Sequence, residues 1–312
     1  MRHLNKNWLI ADIGATMSRC ATYNLNKMRQ LQIVENDDYS GLVELLDQYI
    51  KQSGINLDAC ALSVAAPIDG EEIRMINRNW SFSRRTIAEL GFQRVEIIND
   101  FHSISHALPY FTEPSRIEIG NANAYRHGNI AVLGPGTGLG MSAWIDGKAT
   151  MCGEGGHITL SGRDKSEDEI IAALRNHFGH CSAERVLSGP GLLALHEAMH
   201  NERLSSPEEI SKNTNSQINT ETMHQWFLFL GTVAAELALI TGAVGGVYIA
   251  GGIVPKCIEQ INNSDFRSRF EDKNRYRNYM QGIPTWVVTD PVPGLTGLTC
   301  FIDQLSSSQK VN

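Results

Sequence analysis

The sequence predicts an α/β protein, of two domains or one large unit, and three observations carry that expectation. The chain has 312 residues, more than one ordinary core accommodates. A short apolar run that meets a glycine turn and continues as a second run occurs near the N-terminus and again after residue 130, a repeat that suggests a duplicated architecture. The second half carries several apolar-periodic segments long enough to be helices.

The elements follow in order. Trp8–Ile13 is a buried strand, Gly14-Ala15-Thr16 turns the chain, and Met17–Tyr23 continues as a second strand. Leu42–Ile50 has helical periodicity. Ala61–Ala65 is a short strand closed by Ala66-Pro67, and Val95–Ile98 is a strand ending in Asn99-Asp100. Phe101–Leu108 is helical, with Pro109 just beyond it. Ile130–Leu133, the glycine-rich Gly134–Gly140 and Met141–Ile145 repeat the opening pattern after a polar stretch over 121–129. Ser166-Glu167-Asp168-Glu169 has the capping-box pattern before a helix to Phe178, which Gly179 can end. Ser188-Gly189-Pro190 opens another helix, to about His200. Residues 201–220 are polar and are expected to be a surface excursion. Val247–Ala250 is a strand meeting Gly251-Gly252, Thr285–Thr289 is a last strand, and Leu295–Leu305 a closing helix.

Composition narrows the function. A net charge of −7 gives no electrostatic footprint for nucleic acid, so any phosphate must be held by backbone amides, a metal ion and a few local charges. Residues 1–8 are polar and lack a secretory pattern, and the six cysteines are scattered without a C-x-x-C pair. Reduced thiols in the cytoplasm are therefore expected. Trp226–Ala250 is apolar enough to suggest a membrane span. Glu236 and the breaks at Gly242, Gly245 and Gly246 favour a core helix followed by a buried strand instead.

Four segments could carry chemistry. Gly134-Pro135-Gly136-Thr137-Gly138-Leu139-Gly140 does not fit G-x-G-x-x-G, and no G-x-x-x-x-G-K-[ST] occurs. It reads as a hairpin turn, either purely structural or one whose bare amides approach a phosphate. Asp12-Ile13-Gly14-Ala15-Thr16 sets a carboxylate beside a second small-residue turn. One Asp near nucleotide phosphates suits Mg²⁺, which prefers hard oxygen ligands and keeps several waters. Asp100, at a strand end and helix start, is either a helix cap or an ionised base able to accept a hydroxyl proton. Gly153-Glu154-Gly155-Gly156-His157 is either a solvated loop or a cluster able to satisfy buried sugar hydroxyls. His102 with His106, and His196 with His200, have the i, i+4 spacing of metal ligands, but such pairs are mostly incidental.

Taken together these segments resemble the bacterial glucokinase family of the actin-like sugar-kinase superfamily. The residues that carry the resemblance are Asp12–Thr16 with Arg19, Ile97–Phe101, Gly134–Gly140, Gly153–His157, Ser182–Gly191 and Ile249–Pro255, in this order and spacing. The resemblance implies an actin-like (ribonuclease H-like) α/β fold of two domains with a cleft between them. It implies a small domain over 1–109 completed by the helix 296–312, and a larger one over 110–295. It implies ATP-dependent phosphorylation of glucose to glucose 6-phosphate, with Asp100 as general base. Asn99, Asp100, Glu154, His157 and Glu184 would hold glucose. Ala11, Asp12, Ile13, Gly14, Ala15 and Thr16 would form the first phosphate loop, with Asp12 on Mg²⁺ through water. Gly136, Thr137 and Gly138 would form the second, and Gly251 and Gly252 the adenosine-side turn. His177, His180 and Cys181 would then lie beside the Glu184 segment rather than at a zinc site. A homodimer is expected, with no nucleic-acid or membrane partner.

Three positions depart from the family. Ala15 and Pro135 stand where the family usually has Gly and Ala, and Arg78 replaces a histidine before Trp80. Ala15 would add a Cβ beside the phosphates, and Pro135 would remove an amide. They motivate two alternatives: a kinase for another hexose or an amino sugar, and a sugar-binding sensor indifferent to nucleotide.

Overall fold

Residues 6–122 and 126–308 are described in a computed structural model of the chain. They fall into two compact units, Met1–Tyr110 with Pro291–Asn312 and Phe111–Asp290.

The first unit holds strands β1 (Trp8–Ile13), β2 (Met17–Asn24), β3 (Lys27–Glu35), β4 (Ala59–Val64), β5 (Glu72–Arg74), β6 (Ser81–Ser83) and β7 (Arg94–Asn99). Its helices are α1 (Leu42–Ser53), α2 (Arg84–Ala88), α3 (Asp100–Ala107) and the C-terminal helix Pro293–Ser308. Five strands form one sheet in the order β3-β2-β1-β4-β7. The first three are an antiparallel meander, and β1, β4 and β7 run parallel. Strand side chains alternate between faces, so β1 contributes to two cores. Leu9, Ala11 and Ile13 pack with Leu42, Leu45 and Leu46 of α1. Trp8 and Ile10 pack with Leu295, Leu298 and Ile302 of the C-terminal helix. Burial on both faces is why β1 reads as a continuous apolar run.

The C-terminal helix also meets α3 at close range. A Cβ on Gly297 would stand 2.0 Å from the Ser103 carbonyl oxygen, and the Ser103 hydroxyl donates to the Gly294 carbonyl at 2.8 Å. Only a residue without a side chain permits that backbone approach.

The second unit holds β8 (Arg116–Glu118), β9 (Ile130–Pro135), β10 (Leu139–Ile145), β11 (Ala149–Cys152), β12 (Gly246–Ile249) and β13 (Thr285–Val288) in the order β11-β10-β9-β12-β13-β8. Again an antiparallel meander, β9-β10-β11, is extended by parallel strands, here β12 and β13. The sheet plan of the first unit is thus repeated, with β8 added antiparallel at the edge. Its longer helices are α4 (Lys165–Phe178), α5 (Gly189–His200), α6 (Pro207–Lys212) and α7 (Gln217–Thr241). Short helical turns fill 254–281.

The apolar helix α7 is the centre of this core. Trp226, Phe227, Phe229 and Leu230 are fully buried, and 67% of its most apolar window is enclosed by protein. Gly242 ends it in the left-handed conformation (φ 60°), after which Gly246–Ile249 becomes a strand. Two stretches differ from expectation. The α4 cap is Asp164, whose carboxylate accepts from the Glu167 N–H at 3.0 Å, so the helix starts before the Ser166 capping pattern. Glu167 itself is 2% exposed and pairs with Arg269 at 2.8 Å, a buried contact that a local pattern cannot foresee. Within 201–220, expected to be a surface excursion, lie α6 and the first turn of α7.

Candidate active site

In the first unit the parallel strands β1, β4 and β7 end along one edge of the sheet. Ile13 is in register with Val64, and Val64 with Asn99. The turn Gly14–Thr16 and the pair Asn99-Asp100 therefore leave the sheet side by side, separated by one strand. The carboxyl ends of parallel strands are where open α/β sheets bind ligands.

Asp12 sits one residue inside that edge. The Ser63 hydroxyl donates to its Oδ1 at 2.8 Å, and Arg19 Nη1 lies 3.8 Å from Oδ2. The first turn of the C-terminal helix closes over it, since a Cβ on Gly294 would fall 2.5 Å from the carboxyl carbon. Burial pushes the Asp12 carboxyl above the usual carboxylate range, while Ser63 and Arg19 act to lower it. A hard cation beside it would favour the ionised form. The oxygen donor set fits Mg²⁺ held through water, because one carboxylate with a serine hydroxyl leaves most of the coordination sphere to solvent and phosphate.

Asp100 is the first residue of α3. The helix cap is Asn99 rather than Asp100: Asn99 Oδ1 accepts from the N–H groups of Phe101 (2.9 Å) and His102 (3.2 Å). Asp100 Oδ1 accepts from the Phe101 N–H at 3.0 Å, at the positive end of the helix dipole. Asn99 Nδ2 donates to the Ala66 carbonyl at 3.3 Å, fixing the amide and leaving its second hydrogen for a ligand.

In the second unit β9 runs through Pro135 and β10 begins at Leu139. The glycine-rich turn is therefore only Gly136-Thr137-Gly138, closed by a bond from the Gly136 N–H to the Gly138 carbonyl at 2.8 Å. Glu184 supports it from below. Its Oε2 accepts from the Leu139 N–H at 2.9 Å, and a Cβ on Gly138 would stand 2.5 Å from that oxygen. The Gly189 N–H, at the start of α5, donates to the Gly136 carbonyl at 2.8 Å.

Glu154 precedes and His157 ends a short 3₁₀ turn over Gly155–His157, and both side chains are exposed. A Cβ on Gly156 would lie 2.1 Å from the Leu139 carbonyl oxygen, so the turn rests directly on β10. A bridge between Thr159 and Ser182, with a bond from the Ala183 N–H to the Ile158 carbonyl at 2.9 Å, draws the 182–184 segment alongside. The two short helical turns, Gly155–His157 and Ala183–Arg185, therefore pack against each other. Gly251 has φ +87°, and a Cβ there would fall 2.3 Å from the Pro135 carbonyl oxygen. The Gly251-Gly252 turn thus abuts the end of β9, next to the Gly136–Gly138 turn.

The structure brings Asp12, the 14–16 turn, Asn99 and Asp100 to one edge of the first unit. Glu154, His157, Glu184 and the two glycine turns come to neighbouring positions in the second. Ala15 is outside the left-handed region, so its Cβ imposes no backbone strain. Pro135 ends β9 in register with Leu139, whose N–H donates to Glu184 rather than across the strand pair. Among the described residues no group of three or more His, Cys, Asp or Glu is arranged for a metal. The pairs His102–His106 and His196–His200 have their ring centroids 5.1 Å apart, and His180 bonds the Thr159 hydroxyl. Sequence reasoning missed Ser63, Gly294 and Asn36, whose side-chain amide donates to the Gly14 carbonyl at 2.8 Å. Ser63 left a trace, as the one polar residue in the apolar run 61–65; the other two left none.

The glucokinase family profile matches residues 9–305. A glucokinase of Aromatoleum aromaticum is 38% identical over 95% of this chain and 94% of its own length. One from Photorhabdus laumondii is 35% identical over 96% of this chain and 98% of that one. The crystal structure of a glucokinase from an Antarctic psychrotroph superposes with a TM-score of 0.84 at 29% identity, covering 96% of this chain and 99% of the other. With that match running through every segment of the site and both sheets, the chain belongs to the glucokinase family, with its actin-like two-domain α/β fold.

Proposed function

We propose that this protein transfers the γ-phosphoryl group of ATP to the 6-hydroxyl of glucose, giving glucose 6-phosphate and ADP. The observation that carries the reading is the sheet edge of the first unit. Asp12 and Asp100 leave the carboxyl ends of β1 and β7, two strand spacings apart, about 10 Å along the sheet. One carboxylate is partly buried beside a turn with free amides, and the other lies at a helix start. Those are the environments wanted by a phosphate-bound cation and by a group that accepts a hydroxyl proton.

Asn99, Glu154, His157 and Glu184 hold the sugar hydroxyls in this reading. Asp100 orients the 6-hydroxyl and takes its proton as the oxygen attacks phosphorus. Ala11–Thr16 and Gly136–Gly138 form the two phosphate loops, and Gly251-Gly252 borders the adenosine. Asp12 holds Mg²⁺ through water, and the ion when bound neutralises the phosphate oxygens. Phosphoryl transfer depends mostly on such positioning and charge neutralisation. Four of the six thiols are buried, which suits the cytoplasm. A homodimer is part of the same reading.

The decisive test is a coupled ADP-release assay with ATP and Mg²⁺ across glucose, mannose, glucosamine and N-acetylglucosamine. Glucose is expected to have the highest kcat/KM. Preference for an amino sugar would overturn the substrate assignment. Sugar binding by calorimetry without turnover of any sugar would overturn the kinase.

A further inference from the structure

The carbonyl groups of the Gly14-Ala15-Thr16 turn are all taken from one side. Asn36, fully buried, donates through Nδ2 to the carbonyls of Gly14 (2.8 Å) and Ala15 (3.3 Å), and its N–H donates to that of Thr16 (2.8 Å). Its Oδ1 accepts from the Ser18 hydroxyl at 2.6 Å, which fixes the amide. Arg78 completes the arrangement from the β5–β6 connection. Nη1 donates to the Ala15 carbonyl (3.3 Å) and to Asp37 (2.8 Å), and Nη2 to the Asn36 carbonyl (2.5 Å). The guanidinium lies 4.3 Å from the Trp80 ring centre, and the side chain is only 15% exposed.

The consequence lies on the other side of the turn. In a planar trans peptide the C=O and the following N–H point in opposite directions. Holding the Gly14 and Ala15 carbonyls inward therefore turns the N–H groups of Ala15 and Thr16 outward. No protein acceptor takes either N–H among the described residues.

We infer that Arg78 is a positioning residue for ATP: with Asn36 it pins the carbonyls of the first phosphate loop so that two amides face the phosphates. The inference rests on the proposed phosphoryl transfer. It assigns a use to the arginine that departs from the family, and to the planar fork in particular. A guanidinium reaches three acceptors while stacked on an indole, whereas a lysine ammonium is a single point charge. Asp37 is 86% exposed, so its ion pair with Arg78 contributes little, and the backbone carbonyls are what matter.

The test compares Arg78→Lys, Arg78→Gln and Asp37→Asn with the wild type. ATP and glucose saturation are measured separately, and binding of a magnesium–ATP analogue without sugar is followed by calorimetry. Both Arg78 variants are expected to raise the ATP KM and the analogue Kd about tenfold, the scale of one or two lost charge-assisted bonds. The glucose KM should stay within twofold, and Asp37→Asn should match the wild type. A general loss of structure would move both KM values together. Circular dichroism checks folding, and Arg78→Lys decides if the Gln variant fails to fold. An unchanged ATP KM in a folded variant, beside a wild type that turns over glucose normally, would overturn this inference alone. A wild type that neither binds the analogue nor phosphorylates sugar would bring down the kinase reading and the inference with it.

Discussion

Gly251 and Gly252 are adjacent in sequence, and the structure predicts opposite outcomes for the same substitution. At Gly251 a new Cβ would meet three backbone atoms: the Pro135 oxygen at 2.3 Å, the Pro135 carbonyl carbon at 2.9 Å and the Gly134 carbonyl carbon at 3.0 Å. Backbone atoms cannot rotate aside, so β9 and the turn after β12 must separate. Overpacking of this kind costs about 1–3 kcal/mol. An L-residue in the left-handed region adds about 1–2 kcal/mol, because φ there is +87°. Gly251→Ala should therefore lose about 2–5 kcal/mol. For a domain the size of the second unit this is a fall in Tm of roughly 4–20 °C. At Gly252 no atom lies within 4 Å of the added Cβ and φ is ordinary, so Gly252→Ala should stay within about 0.5 kcal/mol of the wild type. Its methyl would instead enter the open space assigned to adenosine and raise the ATP KM several-fold. Thermal unfolding and urea titration of both variants, with ATP saturation of Gly252→Ala, make the comparison. Equal unfolding midpoints for the two would refute the close approach between Gly251 and β9.

Asp100→Asn should bind glucose as the wild type does while kcat falls about 10²–10⁴-fold, the usual share of a general base; near-normal turnover would remove Asp100 from that role. Glu184→Ala deprives the Leu139 N–H of a charged acceptor beneath the phosphate turn, a loss of about 1.5–3 kcal/mol. Both the ATP and glucose KM should rise, and a change confined to glucose would argue against the coupling. His102 is pushed down to about 4 by burial, with His106 adding to the effect, and burial lowers His106 as well. Between pH 6.5 and about 4 the unfolded chain binds more protons than the folded one, so stability should fall as pH drops through that window. The urea midpoint of His102→Gln should fall less over the same range, and an unaltered slope would discount His102.

Several features of the site were legible because they are local. A buried strand between two apolar faces must be continuous in apolar residues, and Trp8–Ile13 and Ile130–Leu133 are. A chain that reverses over three residues needs small ones, and Gly136–Gly138 supplies them. Asn-Asp after an apolar run marks the point where a strand hands over to a helix, although only the geometry shows that Asn99 caps while Asp100 stands first in the helix. The short edge strands Glu72–Arg74 and Arg116–Glu118 had no such signature. Strands of three residues carry too little periodicity to read.

Sequence alone determined the α/β class, the repeated strand–turn–strand unit, the long core helix ending at Gly242 and the residues that resemble a sugar kinase. These follow from side-chain periodicity and backbone preference, which act over a few residues. Tertiary structure decided that the C-terminal helix closes over Asp12, that Asn36 and Arg78 seize the carbonyls of a turn twenty to sixty residues away, and that backbone crowds the place of a Cβ at Gly251 but not at Gly252. Those outcomes depend on which segments the sheet order makes neighbours, and no short-range preference encodes the distance between atoms so far apart along the chain.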